Sequence, residues 1–273
     1  MNSKPGSKMQ KSTSIGQLSQ KLKDAAASGF MAKDVSDMLV EGLSDQTLAA
    51  TTGAVDPENL DTESVTLIQF VIDASSSMIG HRDIVVEALK SIVKDLQGYK
   101  QSAEMLVGAW QFDSQSKLLF ASKRIGDVKD DFDGYQPSGM TAMYDAVQDA
   151  LVAGRAYAQD LIDEDYRVRM IVIALTDGED NSSNVSSDKV RQLSAALMSE
   201  EIAVLAMVGF NGWDSLDSQT IADRVGFPNV LELDFTDDAA VHKSIKKMTG
   251  MISASVIKAS QNAVAASQNS FFD

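Results

Sequence analysis

The chain has 273 residues, a formal net charge of −15, 44% hydrophobic residues and no cysteine. This length and hydrophobic content are typical of one large globular domain or of one domain with extensions. The lack of cysteine excludes disulfides, thiolate nucleophiles and cysteine-ligated metal sites. The acidic balance disfavours nucleic acid and anionic membranes as partners.

No apolar run approaches the roughly 18 residues that a membrane-spanning helix needs. The N-terminal stretch MNSKPGSKMQKSTSIGQ carries lysines but lacks the apolar segment of a secretory signal. We therefore expect a cytoplasmic protein that does not span a membrane.

Residues 1–60 are predicted to be a polar leader with short helices and a linker. Apolar residues recur at helical spacing from Ile15 to Leu22, with Ser14 as the expected N-cap, and again over 32–42. Residues 50–64 have the composition of a linker. Two interpretations are open for the helices: an arm that docks on a partner or another copy, or, as the favoured interpretation, a hairpin packed on its own domain or a loosely ordered leader. We expect the domain to fold and to bind metal without residues 1–50.

Residues 61–250 are predicted to form an α/β domain that begins with a strand over 66–73 buried on both faces. Further strands are expected over 105–112, 117–125, 169–176, 202–208 and 230–233, and helices over 82–97, 142–162, 188–199, 216–225 and from 237 onward. The short turn before 117–125 makes that strand an antiparallel edge strand. The pattern predicts a doubly wound, mostly parallel six-stranded sheet with helices on both faces.

Residues 251–273 are predicted to be a helical extension and a tail that ends in Phe271-Phe272-Asp273. Such an end acts either as a docking peptide or as a frayed terminus, and the frayed terminus is favoured from the general behaviour of chain ends.

Five oxygen-bearing residues follow strands or precede helices in the predicted domain. Asp73, Ser75 and Ser77 alternate directly after the first buried strand, Thr141 opens a helix, and Asp177 ends a second buried strand. The alternation of Asp73, Ser75 and Ser77 lets one carboxylate and two hydroxyls point into the same space, and a hard cation such as Mg²⁺ prefers oxygen ligands in an octahedral shell. Each segment taken alone also fits a helix N-cap without an ion. Their joint occurrence favours a metal site.

The segments VIDASSSM, SGMTAMYDA and LTDGEDNSS, in this order, resemble von Willebrand factor A (VWA) domains of the bacterial or phage type. The resemblance covers about residues 62–250 and includes a complete metal-ion-dependent adhesion site, whose pattern falls on the five residues above. It implies a Rossmann-like sheet with strand order 3-2-1-4-5-6. It also implies Mg²⁺ or Mn²⁺ as the ion, and a partner protein that offers Glu or Asp at the open coordination position.

The resemblance also implies roles for residues near the site. Asp145 is expected to support the site without ligating the ion, and Glu179 and Asp180 are either outer supports or solvated groups. Apart from the resemblance, His81 lies four residues after Ser77 near the start of a helix, so we expect it to be exposed at the rim, where a guest would touch it. Bacterial relatives often work beside AAA-type ATPases or in stress and defence modules.

Two other function classes are alternatives to protein binding. A metal beside Asp73 and Asp177 is able to activate water in a hydrolase. Against this, the sequence offers only His81 and His242 as histidine bases and shows no catalytic constellation, so we do not expect an enzyme. The third class is a structural or self-assembling protein that uses its N-terminal arm.

Overall fold

The computed structural model describes residues 13–211, 217–234, 238–261 and 271–272. The predictions for the first twelve residues and for most of the C-terminal tail lie outside this part of the chain. The helices are α1 Ile15–Ala27, α2 Lys33–Glu41, α3 Asp45–Thr52, α4 Arg82–Gln97, α5 Met143–Asp163, α6 Ser187–Ser199, α7 Ser218–Val225 and α8 Asp238–Gln261. The strands are β1 Ser64–Asp73, β2 Met105–Phe112, β3 Ser116–Arg124, β4 Arg167–Thr176, β5 Ala203–Asn211 and β6 Asn229–Asp234.

The six strands form one sheet in the order β3-β2-β1-β4-β5-β6. Only β2 and β3 pair antiparallel, and the other four pairings are parallel. The predicted fold class, edge strand and strand order are therefore confirmed. β1 lies between β2 and β4 at the centre of the sheet, and it is buried from Val65 to Asp73.

Alternate side chains of β1 enter two different hydrophobic layers, as the two-residue period of a strand requires. Leu67 and Val71 pack in the layer that contains α1, α2, α5, α6 and α7. Ile68 and Phe70 pack in the layer that contains α4 and α8. Within the described part of the chain, none of the helices combines the length and the apolar composition that a membrane span requires.

The N-terminal helices pack on the same domain. Leu18 and Leu22 of α1 and Val35 and Leu39 of α2 are at most 2% exposed and belong to the hydrophobic layer around α5. The two helices therefore form a hairpin packed on their own domain, which is one of the alternatives that the sequence left open. The expected linker begins later than predicted, because residues 45–52 form α3.

A buried guanidinium ties the turn between α1 and α2 to the domain. Arg155 of α5 is 1% exposed, and its Nε donates to Glu200 Oε2 at 3.2 Å. Its Nη2 donates to the carbonyl of Phe30 at 3.4 Å, and the N–H of Ala32 donates to Glu200 Oε1 at 2.9 Å. A buried charge is tolerated only with such partners, so this network fixes the N-terminal helices in place.

The described end of the chain is packed rather than frayed. Phe271 is 2% exposed, and its N–H donates to Asn229 Oδ1 at 2.9 Å. It joins the layer of α4 and α8 near the start of β6. The apolar ring explains the difference from the expectation, because its burial stabilises an end that polar residues would leave in solvent.

Candidate functional site

The site lies at the carboxyl ends of the two central strands. β1 ends at Asp73 and β4 at Thr176, and the parallel register pairs Ile72 with Leu175. Asp73 and Asp177 are therefore neighbours although they lie far apart in the sequence. The carboxyl edge of an open α/β sheet is where such folds bind ligands.

Four of the five predicted ligands form one continuous set of hydrogen bonds. The N–H of Ser75 donates to Asp73 Oδ1 at 2.8 Å, and the hydroxyls of Ser75 and Ser77 lie 2.9 Å apart. Ser77 Oγ then donates to Asp177 Oδ1 at 3.0 Å. Asp73 is fully buried and Ser75 is 3% exposed. The sequence spacing D-x-S-x-S thus places its three side chains beside the carboxylate of the next strand.

The loop before α5 brings Thr141 to the same edge of the sheet. The N–H of Ser138 donates to the carbonyl of Ala74 at 2.6 Å. The N–H and the hydroxyl of Ser76 both donate to the carbonyl of Gly139, at 3.2 and 2.7 Å. Gly139 has φ +69°, a conformation that favours glycine. These hydrogen bonds join the two loops, which positions Thr141.

The backbone of Thr141 is held by the loop after Asp177. The N–H of Thr141 donates to Asn181 Oδ1 at 2.9 Å, and its carbonyl accepts from the N–H groups of Asn181 and Ser182 at 2.9 and 3.2 Å. Sequence reasoning missed Asn181 as a functional residue. The only signal was a polar residue four positions after Asp177 in the third motif.

Replacing Asn181 with alanine should weaken binding of a divalent cation by roughly 10–100-fold, because the backbone of Thr141 loses its side-chain acceptor. Asn184→Ala is the matched control, since Asn184 lies in the same loop but donates through Nδ2 to Asp145 Oδ2 at 3.1 Å. Isothermal titration calorimetry with Mg²⁺ measures both variants. Equal affinities of the two variants would contradict a special role for Asn181.

The three predicted supporting residues organise the loop between Asp177 and α6. Asp145 accepts from the N–H groups of Asn184 and Val185 at 3.0 and 2.9 Å. The carboxylate of Asp180 accepts from the N–H of Tyr144 at 3.0 Å, in the first turn of α5.

Glu179, the third of these residues, forms an ion pair with Arg224 at 3.2 Å. Arg224 belongs to α7, so this pair joins the loop to the helices over one face of the sheet. Both partners are partly exposed, and such a pair contributes little stability.

His81 ends a 3₁₀ helix over Ser76–His81 and precedes α4. Burial raises the pKa of the Asp177 carboxyl, and the hydrogen bond from Ser77 and the neighbouring His81 oppose this rise. That His81 touches a guest at the rim stays a prediction.

Burial makes the two carboxylates unfavourable neighbours. It raises the pKa of Asp73 to about 6, and the negative charge of Asp177 adds to the rise. Hydrogen bonds limit the effect: Thr176 Oγ1 donates to Asp73 Oδ2 at 2.6 Å. The hydroxyl of Tyr135 donates to the backbone carbonyl of Asp73. Thr176 and Tyr135 are further site residues that the sequence did not reveal.

The donor set fits a hard divalent cation. The structure brings together two carboxylates and the hydroxyls of Ser75 and Ser77 and holds the backbone of Thr141 nearby, and a cation would offset the repulsion between the carboxylates. Among the described residues, no group of three or more His, Cys, Asp and Glu side chains is placed to hold a metal. An ion at this edge would therefore use the hydroxyls.

Comparisons with known proteins agree with this architecture. The sequence pattern of the von Willebrand factor type A domain matches residues 68–246. A search of curated proteins found no match.

Several solved structures are similar to the chain. The D319A mutant of the PilB minor pilin from Streptococcus sanguinis is 12% identical with a TM-score of 0.50, over 74% of this chain and 64% of that one. The pilus adhesin SpaC from Lactobacillus rhamnosus GG, in an open conformation, is 12% identical with a TM-score of 0.51, over 74% and 31%. Proximal thread matrix protein 1 from the mussel byssus, with a zinc-occupied MIDAS motif, is 19% identical with a TM-score of 0.47, over 70% and 47%.

The chain thus spans less than two thirds of each of these three solved chains. At 12% identity the two pilus proteins show a shared fold and nothing finer. The family pattern, in contrast, matches more than half of the 273 residues, from the middle of β1 into α8. The chain therefore belongs to the von Willebrand factor type A domain family.

Proposed function

We propose that this protein is a protein-binding module that depends on a divalent cation and captures a Glu or Asp side chain of its partner. VWA domains are typically metal-dependent adhesion or protein-interaction modules. The observation that supports the proposal is the hydrogen-bonded set from Asp73 through Ser75 and Ser77 to Asp177. These groups already lie together at the edge of the sheet where ligands bind.

The proposed ligands are the hydroxyls of Ser75, Ser77 and Thr141 and the carboxylates of Asp73 and Asp177, the latter directly or through water. Five protein positions leave a sixth for water or a guest. A bound cation would supply a Lewis acid, and a partner's carboxylate would complete its coordination shell. Mg²⁺ is the ion we propose first and Mn²⁺ second, because both suit hydroxyl and carboxylate oxygens.

The charge of the chain affects how fast such a partner arrives. At −15 the protein repels an acidic surface at long range. This repulsion is screened beyond about 8 Å at physiological salt, whereas contact at the site is local. We therefore propose that acidic partners associate slowly at low salt without losing affinity for the site itself.

Asp177→Asn should abolish measurable Mg²⁺ binding in calorimetry, because the site loses one of its two carboxylates. Glu179→Gln is the matched control and should bind Mg²⁺ like the wild type, since Glu179 pairs with Arg224. Pull-downs with and without EDTA then test partner capture. The site assignment would be wrong if both variants bound Mg²⁺ with unchanged affinity.

The two other function classes give different results in the same preparation. A metal-dependent hydrolase would turn over p-nitrophenyl phosphate with Mg²⁺, and we propose that this protein does not. A self-assembling protein would sediment as a concentration-dependent oligomer through its N-terminal helices. The suggestion of an AAA-type ATPase or a stress or defence module as partner stays a prediction.

A further inference from the structure

Exposed apolar side chains are concentrated beside the candidate site. In the part of the chain that the structure describes, three large hydrophobic side chains are exposed: Phe30 at 59%, Ile79 at 61% and Met140 at 51%. Ile79 follows Ser77 by two residues, and Met140 directly precedes Thr141. Exposed apolar residues at the edge of a polar site are typical of protein interfaces.

Ile79 also borders an open cavity of about 410 Å³. Its apolar lining comes from Ile79, Ile84 and Val241, and its polar lining includes His81 and Arg82. The cavity thus lies between the start of α4 and the first turn of α8, next to the loop that carries Ser75 and Ser77. The apolar part of this lining offers contact area to an apolar side chain of a partner.

The charges around the site differ between its two sides. Over the α5–α7 face the neighbours of Asp177 are the carboxylates of Glu179, which pairs with Arg224, and of Asp180, which accepts from the N–H of Tyr144. Over the α4 and α8 face the cavity is lined by His81 and by Arg82 and Asp83, whose charges offset each other in an ion pair at 2.7 Å. An acidic segment is therefore repelled less over the cavity than over the loop after Asp177.

We propose that the partner is a protein segment in which a Glu or Asp lies close to a branched apolar or aromatic residue. The acidic side chain reaches the site, and the apolar side chain contacts Ile79, Ile84 and Val241, the apolar part of the cavity wall. Met140 provides a second apolar contact on the neighbouring loop. This inference rests on the proposed function and adds the chemistry that selects among acidic partners.

Both exposed apolar residues lie on segments that supply proposed ligands of the site. Ile79 lies in the short 3₁₀ helix that supplies Ser77, and Met140 lies in the loop that supplies Thr141. The two loops are joined through Ser76 and Gly139. A partner that contacts either residue therefore touches a segment that also carries proposed ligands of the site.

A random 12-residue peptide library displayed on phage tests this inference. The library is selected on the immobilised full chain in Mg²⁺, and bound phage are eluted with EDTA. We expect an enriched Glu or Asp with an apolar residue at a fixed spacing. A synthetic peptide of the consensus is then titrated into four proteins: wild type, Ile79→Ser, Met140→Ser and, as the matched control, Phe30→Ser.

Ile79→Ser should weaken binding of this peptide about tenfold or more, Met140→Ser should weaken it less, and Phe30→Ser should leave it unchanged. Mg²⁺ affinity should be equal in all four proteins. A consensus with an acid but no apolar preference, or full affinity in Ile79→Ser, would overturn this inference and leave acid capture standing. If EDTA eluted no enriched sequence from the selection, the proposed function and this inference would both be overturned.

Discussion

Asp73→Asn should abolish binding of divalent cations and, in the metal-free protein, raise the free energy of unfolding. The site loses a negative ligand, so we expect a loss in Mg²⁺ affinity larger than the roughly 10–100-fold typical of outer supports. The fold should survive, because an asparagine accepts the N–H of Ser75 and donates to the hydroxyl of Thr176 in place of the carboxylate.

The gain in stability follows from the direction of the pKa shift. Burial and the charge of Asp177 raise the pKa of Asp73 from its ordinary value of 3.8 to about 6. An acid whose pKa is higher in the folded state destabilises the fold once it is ionised above that pKa. At pH 7 the neutral amide should therefore stabilise the metal-free protein by on the order of 1–3 kcal/mol.

Chemical denaturation with EDTA, at pH 7 and at about pH 4, measures this difference. The advantage of Asp73→Asn should shrink as the pH falls through 6 toward 4, since protonation removes the buried charge of the wild type. With saturating Mg²⁺ the order should reverse, because only the wild type gains stability from binding. If Asp73→Asn bound Mg²⁺ with the affinity of the wild type, the assignment of Asp73 as a ligand would be wrong.

Leu22→Ala in the N-terminal helix α1 should lower the free energy of unfolding by about 2–5 kcal/mol. Leu22 is fully buried in the layer around α5, so the substitution leaves a cavity in the main core. Lys23→Ala is the matched control, because Lys23 lies on the exposed side of the same helix. Urea denaturation measures both. If α1 only lay on the surface of the domain, Leu22→Ala and Lys23→Ala would have equal free energies of unfolding.

Deletion of residues 1–53 should have a larger effect than Leu22→Ala. We expect the truncated chain to lose its cooperative unfolding transition. The deletion exposes the apolar face of α5, and it takes the Phe30 carbonyl from the buried Arg155. The sequence led to the opposite expectation of an independent domain, because short polar-rich helices before a linker are typical of dispensable leaders. A truncated protein with a normal two-state transition would restore that expectation.

The central strands were predictable because their chemistry is local. β1 carries an almost unbroken apolar run, which is typical of a strand buried on both faces. α3 was missed because its sequence DQTLAATT has few apolar residues. Its start is marked by the capping box of Ser44 and Thr47, in which Thr replaces the usual Glu or Gln.

The contacts between loops were not predictable, because they join residues far apart in the chain. Asn181 meets Thr141 across forty residues, and only the folded sheet brings their loops together. Arg155 is another example, because a charged residue in an amphipathic helix is ordinarily expected in solvent. The motif spacing revealed which oxygens belong together, whereas the groups that hold them depend on tertiary packing.

The hydrogen bonds between Ser75, Ser77 and Asp177 have a consequence for reversibility. They keep the oxygens assembled without an ion, so chelation should switch recognition off while the architecture persists. Little conformational entropy then remains to be lost when a cation binds again. The protein should therefore recover partner recognition as soon as the cation is restored.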